Sequence, residues 1–251
     1  MPIDLKGKVA LITGGSAGLG AEVAVQLAQE GVDLAINYAN SRERAENLQK
    51  KIETEYDVKV VLIQASIFEA GAAELLVAKT IESFGRLDIV VSNAGWTKVV
   101  PYEDLDALDE ELWDGCFNAN VKSHFYLYKA AKKHLEANED GGCFLVSASV
   151  AGRIVYGSSI PYAVSKSALI HLVKFLAKTQ GTKIRVHAIC PGLLLTEWGQ
   201  KFGPERIKTA TDQTPIKKLP ELDECASHYI HLAKLSSSTG TVVAIDGGVS
   251  V

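Results

Sequence analysis

The 251-residue sequence predicts an α/β protein built on one doubly wound parallel sheet of about seven strands. Short apolar runs alternate with amphipathic segments of helical period along the chain. A glycine-rich turn separates the first apolar run from the first helical segment. No repeat, linker or compositional break divides the sequence, so residues 1–251 read as a single domain.

The first strand is expected over 9–12, Val-Ala-Leu-Ile, and the first helix over 18–30, where Leu19, Val23, Leu27 and Ala28 recur at helical spacing and Gly31 can end it. A strand at 32–38 and a charged helix at 41–55 follow, the latter with Ala45, Leu48 and Ile52 on one face. The alternation continues as strand 58–64, helix 71–84, strand 87–92, one long helix at about 110–138 and strand 143–148. It closes with helix 159–180, strand 184–189, helix 221–235 and strand 241–245. Near-continuous apolar strands separated by amphipathic helices mean a parallel sheet covered on both faces. Right-handed crossovers then make it doubly wound, with ligands beyond the carboxyl ends of the strands.

Lysine and arginine number 26 against 30 acids, a net charge of −4, and no basic stripe is present. Nucleic acid and anionic membrane are therefore not expected partners. The pairs Lys50-Lys51, Lys132-Lys133 and Lys217-Lys218 read as solvated faces. Cys116, Cys143, Cys190 and Cys225 form no CxxC and read as reduced, buried thiols. His228 and His231 are three apart but lack further ligands, so no metal site is expected. With no apolar leader and no apolar run near the ~20 residues of a membrane span, a cytoplasmic protein is expected.

The turn Thr13-Gly14-Gly15-Ser16-Ala17-Gly18-Leu19-Gly20 has the strand–turn–helix context of a dinucleotide site. Glycines allow a tight turn and close backbone approach to a pyrophosphate, and free N–H groups at the helix start favour an anion. The spacing is GxxxGxG rather than GxGxxG, and no Lys-Ser/Thr follows as a P-loop requires. An acid at the end of the second strand would bind the ribose hydroxyl of NAD. Tyr38 stands there instead, followed by Ala39, Asn40, Ser41 and Arg42, with Arg44 close behind. Small polar groups and arginines suit a 2′-phosphate, so NADP(H) is favoured over NAD(H).

Tyr162 and Lys166 are four apart in a helical segment and share one face. An ammonium beside a phenol favours the phenolate and moves tyrosine toward acid/base use near neutrality. Ser149, thirteen residues upstream, follows an apolar strand, where its hydroxyl could polarise a carbonyl. Ser147 is its local rival.

With these residues in place, the chain resembles the short-chain dehydrogenase/reductase family over nearly its whole length. The matching segments are TGGSAGLG at 13–20, SNAG at 92–95, NANV around Asn120, SVAG from Ser149, YAVSK at 162–166, PGLLLT at 191–196 and IDGG at 245–248. The resemblance implies a Rossmann-like fold in which Ser149 positions a carbonyl, Tyr162 exchanges the proton, and Lys166 lowers the tyrosine pKa while holding the nicotinamide ribose. It implies that Asn120 holds a water linking Lys166 to solvent. Gly14, Ser16, Gly18, Leu19 and Gly20 would face the pyrophosphate, and Tyr38, Asn40, Ser41 and Arg42 the adenosine. Asn93, Ala94 and Gly95 would line the cofactor, and Pro191, Gly192 and Thr196 would contact the nicotinamide side. NYANS at 37–41 is similar to the segment of fungal polyhydroxynaphthalene reductases and β-ketoacyl carrier-protein reductases, which use NADPH. Ser66-Ile67 departs from the usual Asp near the adenine, and Ser92 replaces the first Asn of NNAG.

The expected activity is hydride transfer between NADP(H) and a small carbonyl or alcohol substrate, apolar or aromatic by the composition of Leu193, Leu194, Leu195, Trp198 and Phe202. Trp96, Trp198 and Phe202 read either as pocket wall or as core. A homodimer or homotetramer is implied by resemblance. The rival readings are a dinucleotide-binding regulator or scaffold without catalysis, and an NAD-dependent alcohol dehydrogenase.

Overall fold

The computed structural model describes residues 2–251. Its strands are β1 (Val9–Ile12), β2 (Asp33–Tyr38), β3 (Val60–Gln64), β4 (Ile89–Ser92), β5 (Gly142–Ser147), β6 (Ile184–Pro191) and β7 (Val242–Ile245). They form one sheet in the order β3-β2-β1-β4-β5-β6-β7, and every neighbouring pair is parallel. The order reverses between β1 and β4, and a crevice opens beyond their carboxyl ends at such a point.

Alternate residues of each strand feed opposite faces of the sheet. Leu11, Phe144 and Val146 enter one core with α3 (Ala72–Phe84), α5 (Ser123–Glu136) and α6 (Ile160–Gln180). Ala10, Ile12, Cys143 and Leu145 enter the other with α1 (Gly18–Gln29), α2 (Arg42–Glu55) and α9 (Leu222–Lys234). Burial on both faces explains why the strand sequences are apolar without alternation.

The expected helix at 110–138 is interrupted. It consists of α4 (Glu110–Phe117), a π turn at Asn118–Lys122, and α5. Asp109 starts α4 by accepting a hydrogen bond from the Leu112 amide. A π turn inserts one residue into the ladder without breaking the run of helix-compatible residues, and the apolar pattern shifts by only one position, which is why the segment reads as one helix.

The segment after β6 contains two short helices that the periodicity does not reveal, α7 (Glu197–Gln200) and α8 (Pro204–Gln213). Thr196 caps the first, and Pro204 opens the second after Gly203 at φ 78°. No helix of the described residues is long and apolar enough to cross a membrane.

Candidate active site

The glycine turn is fastened from three sides. Thr13 Oγ1 accepts the backbone N–H groups of Asn93 and Ala94 at 2.9 and 3.0 Å. Asn93 Nδ2 returns a bond to the Thr13 carbonyl at 3.0 Å. Asn37 Oδ1 accepts the Gly14 N–H at 3.1 Å, while its Nδ2 donates to the Ile63 and Ala65 carbonyls at 3.2 and 2.9 Å. A single buried asparagine thus ties together the ends of β1, β2 and β3. In the sequence Asn37 stands out only as part of NYANS, since an asparagine inside an apolar run carries no local sign of this role.

Two glycines are required by close approach. A Cβ on Gly20 would lie 2.6 Å from the Gly14 carbonyl oxygen and 2.7 Å from Asn93 Nδ2. Gly18 adopts φ 52°, and a Cβ there would meet the Thr196 methyl at 3.2 Å. The α1 helix starts at Gly18 with no side-chain cap from Ala17, so its first N–H groups remain free for an anion. Ser16 and Leu19 lie on this same turn and helix start. The arrangement fits a dinucleotide pyrophosphate by the nature of its donors.

The adenosine side is less committed. Tyr38 closes β2 and is buried, whereas Asn40 is exposed. Ser41 precedes α2 without capping it. Arg42, the expected phosphate ligand, is paired with Glu46 at 2.8 Å one helical turn on. Arg44 reaches across to Glu197 at 3.1 Å. Both cations therefore already have acidic partners. Ser66 Oγ accepts the Phe68 N–H at 3.3 Å, closing its own turn.

The two candidate serines are separated by their partners. Ser147 Oγ donates to Asn93 Oδ1 at 2.9 Å and lies 2.7 Å from the Tyr229 hydroxyl, so it is consumed inside the fold. Ser149 faces the cleft shared by Tyr162, Leu193, Trp198 and Phe202. It also caps the short 3-10 turn Val150–Gly152 through the Ala151 N–H at 3.1 Å.

Tyr162 enters α6 two residues after its start, with Ser159 accepting the Tyr162 N–H at 3.4 Å as the N-cap. Lys166, one turn on, places Nζ 5.8 Å from the Tyr162 ring and donates to the Ser147 carbonyl at 2.8 Å. Burial pushes the Tyr162 phenol up to about 12, and the Ser149 hydroxyl beside it pulls the other way. Burial also lowers Lys166 to about 8. The expected depression of the tyrosine by its lysine is thus not seen in this geometry: burial dominates, and the group that opposes it is the Ser149 hydroxyl.

Asn120 sits in the π turn, fully buried. Its Oδ1 accepts the Trp96 N–H, and its Nδ2 donates to the Trp96 carbonyl, each at 2.9 Å. A further bond from Nδ2 to Ser165 Oγ at 3.1 Å joins it to α6. Gly95 must stay bare, since a Cβ would lie 2.9 Å from Asn120 Oδ1 and 3.6 Å from Lys166 Nζ. Pro191 ends β6 opposite Ile245, and a Cβ on Gly192 would press on the Asp246 backbone at 3.0 Å. Thr196 caps α7 through the Gly199 N–H at 3.3 Å.

The three aromatic candidates divide. Trp96 packs with Leu112, Cys116 and Tyr162 and lies so close to Gly115 that a Cβ there would be 2.7 Å from its ring, so it belongs to the core beside the site. Trp198 and Phe202 line the cleft, with Trp198 6.3 Å from Tyr162 between ring centroids. Tyr156, Gly157 and Arg206 complete the wall. Nothing local marks them in the sequence: Tyr156 and Gly157 lie in an irregular segment, and Arg206 sits on the short, mostly polar α8. Among the described residues no cluster of three or more metal-ligating side chains occurs, and His228 is engaged with the Glu224 carbonyl at 2.9 Å.

A parallel sheet with this strand order, a bare glycine turn under a free helix N-terminus and polar groups beyond the carboxyl ends defines a protein of the dinucleotide-binding oxidoreductase class. Residues 14–250 match the family model described as enoyl-(acyl carrier protein) reductase. A Streptomyces violaceoruber protein named as a ketoacyl reductase of the granaticin polyketide synthase is 36% identical over 245 residues, 96% of this chain and 95% of its own. A short-chain dehydrogenase from Burkholderia cenocepacia, solved in complex with NADP, superposes with a TM-score of 0.91 at 32% identity, covering 99% of this chain and 100% of that one. The NADPH-dependent 3-quinuclidinone reductase of Rhodotorula rubra gives a TM-score of 0.89 at 28% identity, with coverage of 98% and 92%. The chain belongs to the short-chain dehydrogenase/reductase family of oxidoreductases.

Proposed function

We propose that the protein reduces a ketone to an alcohol with NADPH, Tyr162 supplying the proton, or runs the reverse oxidation. One observation carries the reading: the Tyr162 phenol and Ser149 hydroxyl meet at the floor of one cleft, with the Lys166 ammonium buried behind them. Ser149 would donate to the substrate oxygen. Tyr162 would donate its proton to that oxygen as negative charge develops there, and Lys166 would stabilise the phenolate left behind. A bound nicotinamide would supply the hydride. Gly14, Ser16, Gly18, Leu19 and Gly20 would hold the pyrophosphate. Asn93, Ala94 and Gly95 would line the middle of the dinucleotide, Pro191, Gly192 and Thr196 its nicotinamide end, and Ser66 with Tyr38 its adenine end. Asn120 would carry the water that returns a proton to Lys166.

NADP(H) is supported by the absence of an acid at Tyr38 and by relatives whose names state NADP or NADPH. The NAD(H) reading draws on the pairing of Arg42 with Glu46 and Arg44 with Glu197, which leaves neither arginine free. A small carbonyl compound, a homo-oligomeric enzyme and a cytoplasmic location complete the proposal.

The test is cofactor oxidation by the purified protein over β-ketoacyl thioesters, quinones and aryl ketones, with NADPH and NADH compared at each. Turnover with a higher kcat/KM for NADPH is expected. Stoichiometric nucleotide binding without turnover would favour a regulator or scaffold, and a preference for NADH would overturn the cofactor assignment.

A further inference from the structure

The cleft continues away from Tyr162 along a line of aromatic rings that ends in a cation. Trp198 lies 6.3 Å from Tyr162, and Phe202 lies 5.9 Å from Trp198, edge to face. The Arg206 guanidinium sits 4.9 Å over the Phe202 ring. Trp198 lies in α7, Phe202 in the turn after it and Arg206 in α8 beyond the Gly203 break, and all three line the cleft. Arg206 donates from Nη2 to the Gly157 carbonyl at 2.7 Å and lies beside the Tyr102 hydroxyl. That carbonyl also accepts from Tyr102 at 2.6 Å, which fixes the loop beneath the guanidinium.

Among the described residues no carboxylate lies within 4.0 Å of the exposed Arg206, whereas Arg42, Arg44, Arg86 and the neighbouring Lys208 have acidic partners; of the other arginines without one, Arg185 is spent on the Leu232, Ala233 and Leu235 carbonyls and Arg153 lies outside this cleft. A guanidinium has five donors in a plane, stacks on aromatic faces and matches a carboxylate in two-point geometry. Beyond Ser149 and Tyr162, and apart from the small residues Gly157, Ser158 and Gly192, the rest of the cleft wall is apolar or aromatic, and it has no second cation.

We propose that Arg206 is a specificity-determining residue that binds a carboxylate at the end of the substrate remote from the reacting carbonyl. The substrates are then keto acids with an apolar or aromatic body, held between Ser149 and Tyr162 at one end and Arg206 at the other. This rests on the ketone-reductase reading, and it names the substrate class within it.

The test compares benzoylpropionate and benzoylbutyrate with their methyl esters, with NADPH, in the wild type, Arg206→Gln and Arg206→Lys. The wild type is expected to favour the acids in kcat/KM by about fivefold or more, the scale of a partly screened charge-assisted contact. Arg206→Gln should bring the acid-to-ester ratio close to one, chiefly through KM, and Arg206→Lys should fall between. Raising ionic strength should erode the wild-type ratio and leave the Gln variant's unchanged. A wild-type ratio at or below one, or a ratio unmoved by Arg206→Gln, overturns the proposal.

Binding of the two acids, followed by quenching of tryptophan fluorescence with NADP present, separates the two levels. Arg206-dependent binding without turnover would sink the reductase reading and keep the carboxylate site. Turnover of acids and esters alike would do the reverse.

Discussion

Arg44 of α2 and Glu197 of α7 form an ion pair of 3.1 Å that bridges the cofactor side of the crevice to the helix capping the substrate cleft. Both side chains are largely exposed, so the bond itself is worth on the order of 0.5 kcal/mol. A 2′-phosphate binding near α2 would compete with Glu197 for this arginine. Glu197→Gln should therefore lower the KM for NADPH by about twofold to threefold, within the range of an exposed pair. Arg44→Ala should raise it by a similar or larger factor, and neither change should move the KM for NADH. Steady-state kinetics with both cofactors decide this; equal shifts for NADPH and NADH would show that Arg44 does not read the phosphate.

Tyr162→Phe removes the proposed proton donor and keeps the ring in contact with Trp198. Turnover should fall by at least about 100-fold, the usual worth of a positioned acid. Nucleotide binding, measured by fluorescence titration, should persist. A Phe variant that reduces ketones at the wild-type rate would reassign the proton.

The low pKa of Lys166 gives the pH profile a direction. Burial lowers it to about 8 while burial holds Tyr162 protonated up to about 12. If the ammonium is required, ketone reduction should decline as pH rises through about 8, with no loss below it from this group. Stability moves the opposite way. The unfolded lysine binds its proton up to its ordinary value of 10.5, so between there and about 8 the unfolded state holds more protons. The cost of burying Lys166 therefore grows as pH falls through that window. Rates measured from pH 6 to 10, with a Lys166→Met variant followed by thermal unfolding over the same range, test both signs.

Burial raises the thiols of Cys116, Cys143 and Cys190 to about 11 and that of Cys225 to about 12. A raised pKa contributes stability that is complete below the ordinary value of 9.0 and is lost as pH rises through about 11. The folded protein should resist iodoacetamide at pH 8, since thiolate is the reactive form, and should take up four equivalents only when unfolded. Rapid labelling of the native state, counted by mass spectrometry, would contradict this.

Asn37→Ala leaves the Gly14 N–H and the Ile63 and Ala65 carbonyls without their side-chain partner. The expected loss is about 2–3 kcal/mol from unmet buried hydrogen bonds, or roughly 4–12 °C in Tm for a chain of this size. Nucleotide affinity should weaken with it, because the turn is held by the same bonds. A Tm within a degree of wild type would show that the backbone finds other partners.

The sheet was legible because burial on both faces leaves every strand apolar, as in Leu11–Ile12 and Phe144–Val146. The glycine turn and the Tyr162–Lys166 spacing were legible because both are local. The structure adds relationships that join distant segments. Ser147 and Ser149 look alike in the sequence, and only the contact of Ser147 with Asn93 and Tyr229 separates them. The tie made by Asn37 is likewise non-local. The cap helices were missed for another reason: α7 is a single turn and α8 is mostly polar, so neither shows an apolar stripe long enough to read. The pairing of Arg42 with Glu46 could have been expected from their spacing of four, a common arrangement on exposed helices.

The π turn that carries Asn120 also constrains how this chain can change in length. Deleting one residue from Asn118–Lys122 would let α4 and α5 fuse into a regular helix, and each residue of an α-helix turns by about 100°. Leu127, Tyr128, Ala131 and Leu135, which now enter the core, would be swung off it together with the loss of the Asn120 bridge between Trp96 and Ser165. A single-codon deletion there would thus disable chemistry and folding at once, whereas insertions in the irregular cap around Gly203 alter only the cleft wall. Length variation among descendants of this sequence should accordingly collect in the cap and avoid the helix that holds Asn120.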